Sequence, residues 1–350
     1  MRPDRPADAP DRRELSVVML AYGAEPYLEE AVRAVLASTG VELELVLVDN
    51  GATGRSVDAV RALADPRVRV LTPSHNLGFT GGVDLGVRGT TAPVVALVNS
   101  DAIVQPDALV ELARALDDPG VGLVSGLVRL AATPDLVNTV GNPVHLLGLS
   151  WAGHMGEPVA EHTEPTTVAS VTGATMAVRR SVWDALGGFP DEYFAYLEDL
   201  ELSWRAWQRG LRVCFVPTAV SDHHYEFSRS PLKMYLVDRN RLAFVLTCYG
   251  TRTLVLLALP LLAFDVALLA VAVAQGWGRQ WWRARWWVLG HVGWLRARRR
   301  DVQAARVVGD RDLAPLWTDS FDAAQLPLPP GGAVIEKVLQ AYWRVARRLL

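Results

Sequence analysis

The 350-residue chain holds only two cysteines, almost no excess charge and no glycine fingerprint behind its first β-rich run, and each shortage excludes a class of protein. Cys214 and Cys248 sit in apolar surroundings without CxxC or Cys/His spacing, so neither a disulfide framework nor a zinc site is indicated, which fits a reducing cytosol. Lysine plus arginine (35) nearly balance aspartate plus glutamate (38), leaving no overall field to gather nucleic acid. The missing GxGxxG argues against a nicotinamide-dependent dehydrogenase. The N-terminal MRPDRPADAPDRRE lacks an apolar h-region; residues 1–14 are expected to form a disordered lead and not a signal peptide. What the chain does have is apolar surface: half its residues are hydrophobic and the mean hydropathy is +0.16, which predicts a contact with lipid or a large partner.

From Leu15 onward, short β-rich runs alternate with amphipathic helical stretches. Strands are predicted at 15–22, 44–50, 67–73, 93–99 and 121–126, with helices at 26–38, 56–65, about 79–89 and 106–118, a spacing that implies βαβ units, flanking helices and a mostly parallel sheet. The regularity breaks over 127–170, where Pro, Gly, Asn and Thr clusters suggest hairpins and a mobile loop. A glycine-rich turn at 171–180, a short helix at SVWDALGG, a helix over 196–210 and a strand over 211–217 complete a unit expected to occupy 15–230. Residues 231–350 read as a separate helical region, expected to associate with a membrane.

Polar and glycine-rich loops follow each strand and should converge on one rim of the sheet, where ligands bind in open α/β folds. Tyr22 follows the first strand, Asp49 the second, Asn76 with Gly78, Gly81 and Gly82 the third, and Asn99-Ser100-Asp101 the fourth. Asp49 could accept from a base or ribose, or merely shape a turn. The three glycines could let backbone N–H groups close on a diphosphate at a helix start. A carboxylate such as Asp101 at the end of a buried strand needs a partner, either a helix N-terminus or a metal ion. Glu198, Asp199 and Glu201 place three carboxylates within four positions. Such crowding makes sense for a poised base or a nearby cation, or for acidic residues favoured in a helix's first turn. His223 could complete a divalent site beside Asp101, or be structural.

Four segments then carry a resemblance: LVDNGATGRS, NLGFTGGVDLG, VALVNSDAIVQPDAL, and TGATMAVRRSVWDALGGFPDEYFAYLEDLELSWRAWQRG followed by VPTAVSDHH. In this order and spacing the chain resembles the family 2 glycosyltransferases, especially their bacterial rhamnosyltransferase-like branch, over about residues 15–245. The resemblance implies a Rossmann-like GT-A fold and inverting transfer from a nucleotide-diphospho-sugar. It implies that Asp101 holds Mg²⁺ or Mn²⁺ within a DXD-type motif written here Asn99-Ser100-Asp101, that Asp199 is the base of the Glu198-Asp199 pair, that His223 joins the metal or diphosphate, and that Asp49 contacts the nucleoside. The chain departs from the family pattern at Tyr22-Gly23, where asparagine is common, at Gly54, where aspartate is frequent, and at Glu201, which replaces an aspartate. The donor is expected to be dTDP- or UDP-linked, with rhamnose or another deoxysugar as its cargo and a lipid-linked glycan as acceptor. The alternative is a nucleotide-sugar-binding or scaffold protein that kept the fold and lost catalysis.

Residues 254–274 are long enough to span about 30 Å of hydrocarbon. Asp265 at the centre, Pro260 in the ladder and arginines on both flanks speak against a single span, so a re-entrant or in-plane pair of helices is expected. Trp281, Trp282, Trp286 and Trp287, interleaved with arginine, suit the headgroup layer at the cytoplasmic face of a membrane. The competing reading is a helical hairpin buried on the catalytic unit, or a homo-oligomer interface.

Overall fold

The computed structural model describes residues 13–225, 230–322, 324–326 and 331–350. Residues 1–12, most of the expected disordered lead, lie outside that set. Arg13 and Glu14 already belong to the sheet, because β1 (Arg13–Ala24) pairs from its first residue with β2 (Val41–Thr53).

The first half of the chain follows its hydrophobic pattern. After β1 come α1 (Leu28–Leu36), β2, α2 (Ser56–Ala62), β3 (Val68–Leu71), α3 (Gly78–Arg88), β4 (Val94–Val98), the three-residue β5 (Ala102–Val104), α4 (Ala108–Ala115) and β6 (Val121–Leu130). The continuation is less regular: β7 (Thr133–Thr139), β8 (Val144–His145), β9 (Thr166–Thr167), β10 (Thr175–Arg179), α5 (Arg180–Leu186), α6 (Glu198–Gln208) and β11 (Arg212–His223). The main sheet runs β3-β2-β1-β4-β10-β6-β11-β5, with β7 on β6 and β9 on β11.

The sheet is mixed. Pairs β2/β3, β1/β2, β1/β4 and β6/β11 are parallel, but β10 lies antiparallel between β4 and β6, and β5 is antiparallel to β11. The expected parallel arrangement therefore holds throughout the β3-β2-β1-β4 half and recurs in the β6/β11 pair, interrupted by β10. The stretch expected as a glycine-rich turn contains β10, whose Met176, Ala177 and Val178 are all fully buried. A five-residue strand covered on both faces shows no alternation that the sequence could reveal.

Helices cover both faces. Leu28, Val32 and Val35 of α1, Val60 of α2 and Leu109 and Leu112 of α4 pack on one side with Leu45 and Leu47 of β2. Val83 and Val87 of α3, Trp183 of α5 and Leu202 of α6 pack on the other with Val18 and Leu97. At about 25 cal/mol per Å² of apolar surface, these two layers supply most of the drive for folding.

A third core ties the C-terminal helices to the sheet unit. It joins Leu200 and Trp204 of α6 to α7 (Pro231–Cys248), α8 (Thr251–Ala274), α10 (Val292–Ala304), the short α11 (Asp310–Leu313), β12 (Trp317–Thr318) and α12 (Gly332–Ala346) through residues such as Phe244, Leu257, Val302, Trp317 and Trp343, while α9 (Gly278–Gly290) packs through Trp281 and Trp287 in two smaller clusters. α8 runs unbroken through Pro260, so no re-entrant turn occurs there. Its most apolar window has a mean hydropathy of 2.7, and only 6% of that window is buried, the one such helix among the described residues. Asp265 escapes the cost of a lone charge because Arg241 of α7 donates to it at 2.9 Å and Arg285 of α9 at 3.2 Å, with Asp238 closing the network. The tryptophans of α9 divide: Trp282 and Trp286 are exposed, Trp281 is buried beneath Arg285, and Trp287 lies under the guanidinium of Arg239.

Candidate active site

One cavity opens where β1, β2 and β4 end, lined by Tyr22, Asn50, Asn76, Gly78, Asn99, Ser100, Asp101, Gly173, Glu198, Asp199 and His223. The strand-end residues converge there because parallel strands deliver their C-terminal loops to a common edge.

Asp101 and His223 meet because β5 and β11 pair antiparallel, with His223 opposite Ala102. His223 Nε2 lies 3.1 Å from Asp101 Oδ1, and Nδ1 lies 2.9 Å from the amide oxygen of Asn138. An imidazole nitrogen and a carboxylate oxygen so placed share a proton or a cation. One imidazole and one or two carboxylates form a donor set suited to a divalent ion. Glu25 stands close by: burial pushes its carboxyl up, the charge of Asp101 adds to this, and bonds from the Tyr22 N–H and Ser100 hydroxyl oppose it. His224, the neighbour of His223, is turned away and stacks on Tyr27 at 3.6 Å.

The second carboxylate group sits at the start of α6. Asp199 accepts from the Leu200 N–H through Oδ1 at 2.8 Å and from the Gly173 N–H through Oδ2 at 3.1 Å. Glu198 is buried, and its Oε2 has no hydrogen-bond partner. Burial, and then the charge of Asp199, push the Glu198 carboxyl up to about 8. Burial also raises Asp199, but its two N–H bonds favour its charged form, so of the pair Glu198 keeps the proton at neutral pH. Glu201 does not belong to this pair. It is fully buried on another face of α6, where Arg205 and Arg298 hold it. The three crowded carboxylates of the sequence are thus a protonated acid, an anion facing the cavity and a paired structural anion.

Between pH 4.5 and 8 the folded chain therefore keeps a proton on Glu198 that the unfolded chain releases, so stability from this group falls as pH rises through that window. Glu198→Gln should flatten this slope and be more stable than the parent above pH 8 by a few kcal/mol at most. Urea unfolding at pH 5 and pH 8.5 measures it; identical slopes in both proteins would show that Glu198 does not hold the proton.

The backbone leading into α6 is strained. Phe194, Tyr196 and Leu197 all have φ between +62° and +73°, a region costing about 1–3 kcal/mol for each non-glycine residue. α7 holds this turn: the Asn240 amide donates to the carbonyls of Tyr193, Ala195 and Tyr196 at 2.7–3.0 Å, and Arg239 donates to Glu192 and Tyr193. Gly78 fits against the turn, since its φ is +72° and a Cβ there would lie 2.4 Å from the Phe194 carbonyl oxygen.

Other expected residues find different surroundings. Gly81 and Gly82 do not line the cavity; they lie inside α3, where a Cβ on Gly82 would come within 2.3 Å of Leu20. Gly82 permits close packing of α3 on β1, and a Cβ on Gly81 would lie 3.1 Å from the Leu77 side chain. Asp49 also lies off the cavity, accepting from the Ala52 N–H at 3.1 Å with Arg61 3.8 Å away, while its neighbour Asn50 lines it. Asn76 lines the cavity, but its amide oxygen is engaged by Asn50 and by the Gly78 N–H. Asn99 donates its N–H to Ala174, extending the β4 edge. Asn138, Gly173 and Asn240 have no local signature, because each acts through a partner distant in the chain; Glu25 is visible only as the end of the polar loop that follows β1.

Residues 10–244 match the sequence profile described as "Glycosyltransferase like family 2". The chain belongs to this family. The glycosyltransferase is 29% identical over 236 residues to the N-acetylglucosaminyl-diphospho-decaprenol L-rhamnosyltransferase of Mycobacterium tuberculosis, a match covering 60% of this chain and 76% of that relative. It is 28% identical to the pre-mycofactocin glycosyltransferase of the same species, covering 63% of this chain and 45% of that one. The O-antigen biosynthesis protein RfbC of Myxococcus xanthus is also 28% identical, over 62% of this chain and 18% of its own length. The rhamnosyltransferase and the O-antigen protein support the bacterial rhamnosyltransferase-like branch of the family. Among solved structures, GalNAc-T7 with UDP, GalNAc and Mn²⁺ superposes with a TM-score of 0.57 at 17% identity, covering 69% of this chain and 49% of that one. The mannosyltransferase PcManGT of Pyrobaculum calidifontis, in complex with GDP-Man and Mn²⁺, gives 0.50 at 18% identity over 99% of this chain and 90% of that one. The shared architecture is the GT-A fold.

Proposed function

We propose that this glycosyltransferase moves rhamnose or another deoxysugar, with inversion, from a dTDP- or UDP-linked donor to a lipid-linked saccharide in cell-envelope polysaccharide synthesis. The observation that carries the reading is Asp199, an anion with two backbone N–H bonds, in one cavity with the Asp101–His223 pair. Asp199 takes the proton of the acceptor hydroxyl as that oxygen bonds to the anomeric carbon, and the bond from that carbon to the nucleoside diphosphate breaks with its electrons leaving on the diphosphate. Glu198, neutral and behind the base, keeps a second negative charge from the site. Asp101 and His223 would hold Mg²⁺ or Mn²⁺, which when bound supplies the positive charge that stabilises the departing diphosphate. A single base at the cavity suits transfer better than glycoside hydrolysis with two flanking carboxylates.

The acceptor class is supported by the lipid-linked substrate in the name of the mycobacterial relative, and a station at the cytoplasmic face of the membrane by the exposed apolar α8 and by Trp282 and Trp286. The test is thermal unfolding with Mn²⁺ and equal concentrations of dTDP, UDP or GDP. One diphosphate should raise the midpoint, by about 2.7 kcal/mol of stability at a hundredfold excess over its Kd, and Asp101→Ala should abolish the rise. No rise with any nucleotide would overturn the donor assignment.

A further inference from the structure

The catalytic cavity does not end at the catalytic residues. Its volume is about 1820 Å³, and it continues from Asp101, Asp199 and Tyr196 past the start of α7 into a trough between α8 and α12. One wall is a stripe of α8 that includes Pro260, Ala263, Ala267 and Val271, spaced as one helical face; the other is Ile335 and Val338 of α12. Along α8 the lined stretch from Leu259 to Ala274 measures about 22 Å at 1.5 Å per residue. The charged residue of this wall, Glu336, accepts from the Phe321 N–H at 2.7 Å.

We infer that the α8–α12 trough binds the isoprenoid chain of the lipid-linked acceptor, holding it in line with the catalytic base; this rests on the acceptor class proposed above. A single molecule that fills both parts of the cavity must be polar at one end and apolar and elongated at the other. The trough is open along one side: Leu259 of α8 and Ile335 and Val338 of α12, which line it, are each at least 64% exposed, and Val255, Leu262 and Val266 of α8, outside it, are each at least 62% exposed. A lipid can therefore slide in sideways from a bilayer without its chain crossing water. At the junction the Lys233 ammonium sits 5.4 Å over the Tyr196 ring, and both residues line the cavity. A cation there suits the phosphate of a carrier lipid. α12 lies beyond the family match, which ends at residue 244, so the trough is built by this chain's own C-terminal part.

The probe is decaprenyl monophosphate in neutral detergent micelles, with binding to the full chain measured by equilibrium titration. Saturable binding is expected in the parent. Ala267→Trp and Val338→Trp, each filling the trough from one wall, should weaken it at least tenfold. Val255→Trp, on the exposed face of α8 outside the trough, should leave it unchanged, and the unfolding midpoint of each variant verifies its fold. Equal weakening by all three substitutions, or by none, would show that the lipid only coats the outer surface and overturns the inference. A second arm separates the two readings. If the trough variants lose decaprenyl phosphate while the parent transfers sugar to no lipid-linked acceptor, the trough stands and the acceptor assignment fails. Transfer to a decaprenyl-linked acceptor that is equally efficient in the parent and in the folded trough variants removes the trough and leaves the acceptor assignment intact.

Discussion

Asp199→Asn should lower kcat by about 10²–10⁴-fold, the range for loss of a positioned general base, while leaving donor binding within a few-fold of the parent. The amide keeps the shape of the side chain but cannot take the acceptor's proton. One of its two ends must also present N–H to the Leu200 or Gly173 N–H that the carboxylate now accepts, which costs some local order at the start of α6. Removing the charge also relieves Glu198, whose carboxyl is held up partly by Asp199, so Glu198 should ionise at lower pH in the variant. Single-turnover transfer with a folded variant measures the first effect and the pH dependence of stability the second. A variant that turns over within threefold of the parent would sink the assignment of Asp199 as base, whereas nucleotide binding by a parent that transfers to no acceptor would favour a binding protein that lost catalysis.

The largest effect on stability should come from Glu201→Ala. Burial alone would push the Glu201 carboxyl up, but Arg205 and Arg298 outweigh it and hold it below its ordinary value. Its removal leaves Arg205, itself buried, and Arg298 with a positive charge each and no anion between them, a change that costs about 3–5 kcal/mol in comparable buried pairs. Because the folded carboxyl is depressed, the contribution is present above the ordinary value of 4.5 and fades as pH falls through the folded value. Urea unfolding at pH 7 should show the loss. Adding Arg298→Met to Glu201→Leu should recover part of it, since two of the three charges then leave together. A loss under 1 kcal/mol for Glu201→Ala would mean that water reaches the site.

How these residues were legible in the sequence follows from the distance over which each acts. The βα alternation of the first 130 residues is a local pattern, and the strands from β1 to β4 fell where hydrophobic periodicity put them. Asp101 and His223 could be singled out because a charged or titratable group at the end of a buried strand needs a partner, and Asp199 because three carboxylates crowd within four positions. The packing of Gly82 is not legible, because a glycine required for helix-on-sheet packing looks the same in sequence as one required for phosphate binding; its contact, Leu20, lies some sixty positions away. β10 was hidden because its existence depends on β4 and β6 leaving a gap for it. The Asn240 support of the strained turn and the pairing of Arg298 with Glu201 cross 44 and 97 positions of chain, and nothing local announces either.

That last pairing bears on the order in which the protein is made. A ribosome releases α6, with Glu201 already committed to the interior, nearly a hundred residues before Arg298 emerges. The same delay applies to Trp343, which joins the core around Trp204 of α6 almost at the end of synthesis. Until the C-terminal helices arrive, the helix that carries Asp199 lacks one counter-ion and much of its apolar cover. A chain cut at residue 244, where the family match ends, should remain in that immature state and be handled by the cell as a folding intermediate. The C-terminal helices thus impose a timing rule: the helix that carries Asp199 gains its full support only once α7 to α12 have folded onto it.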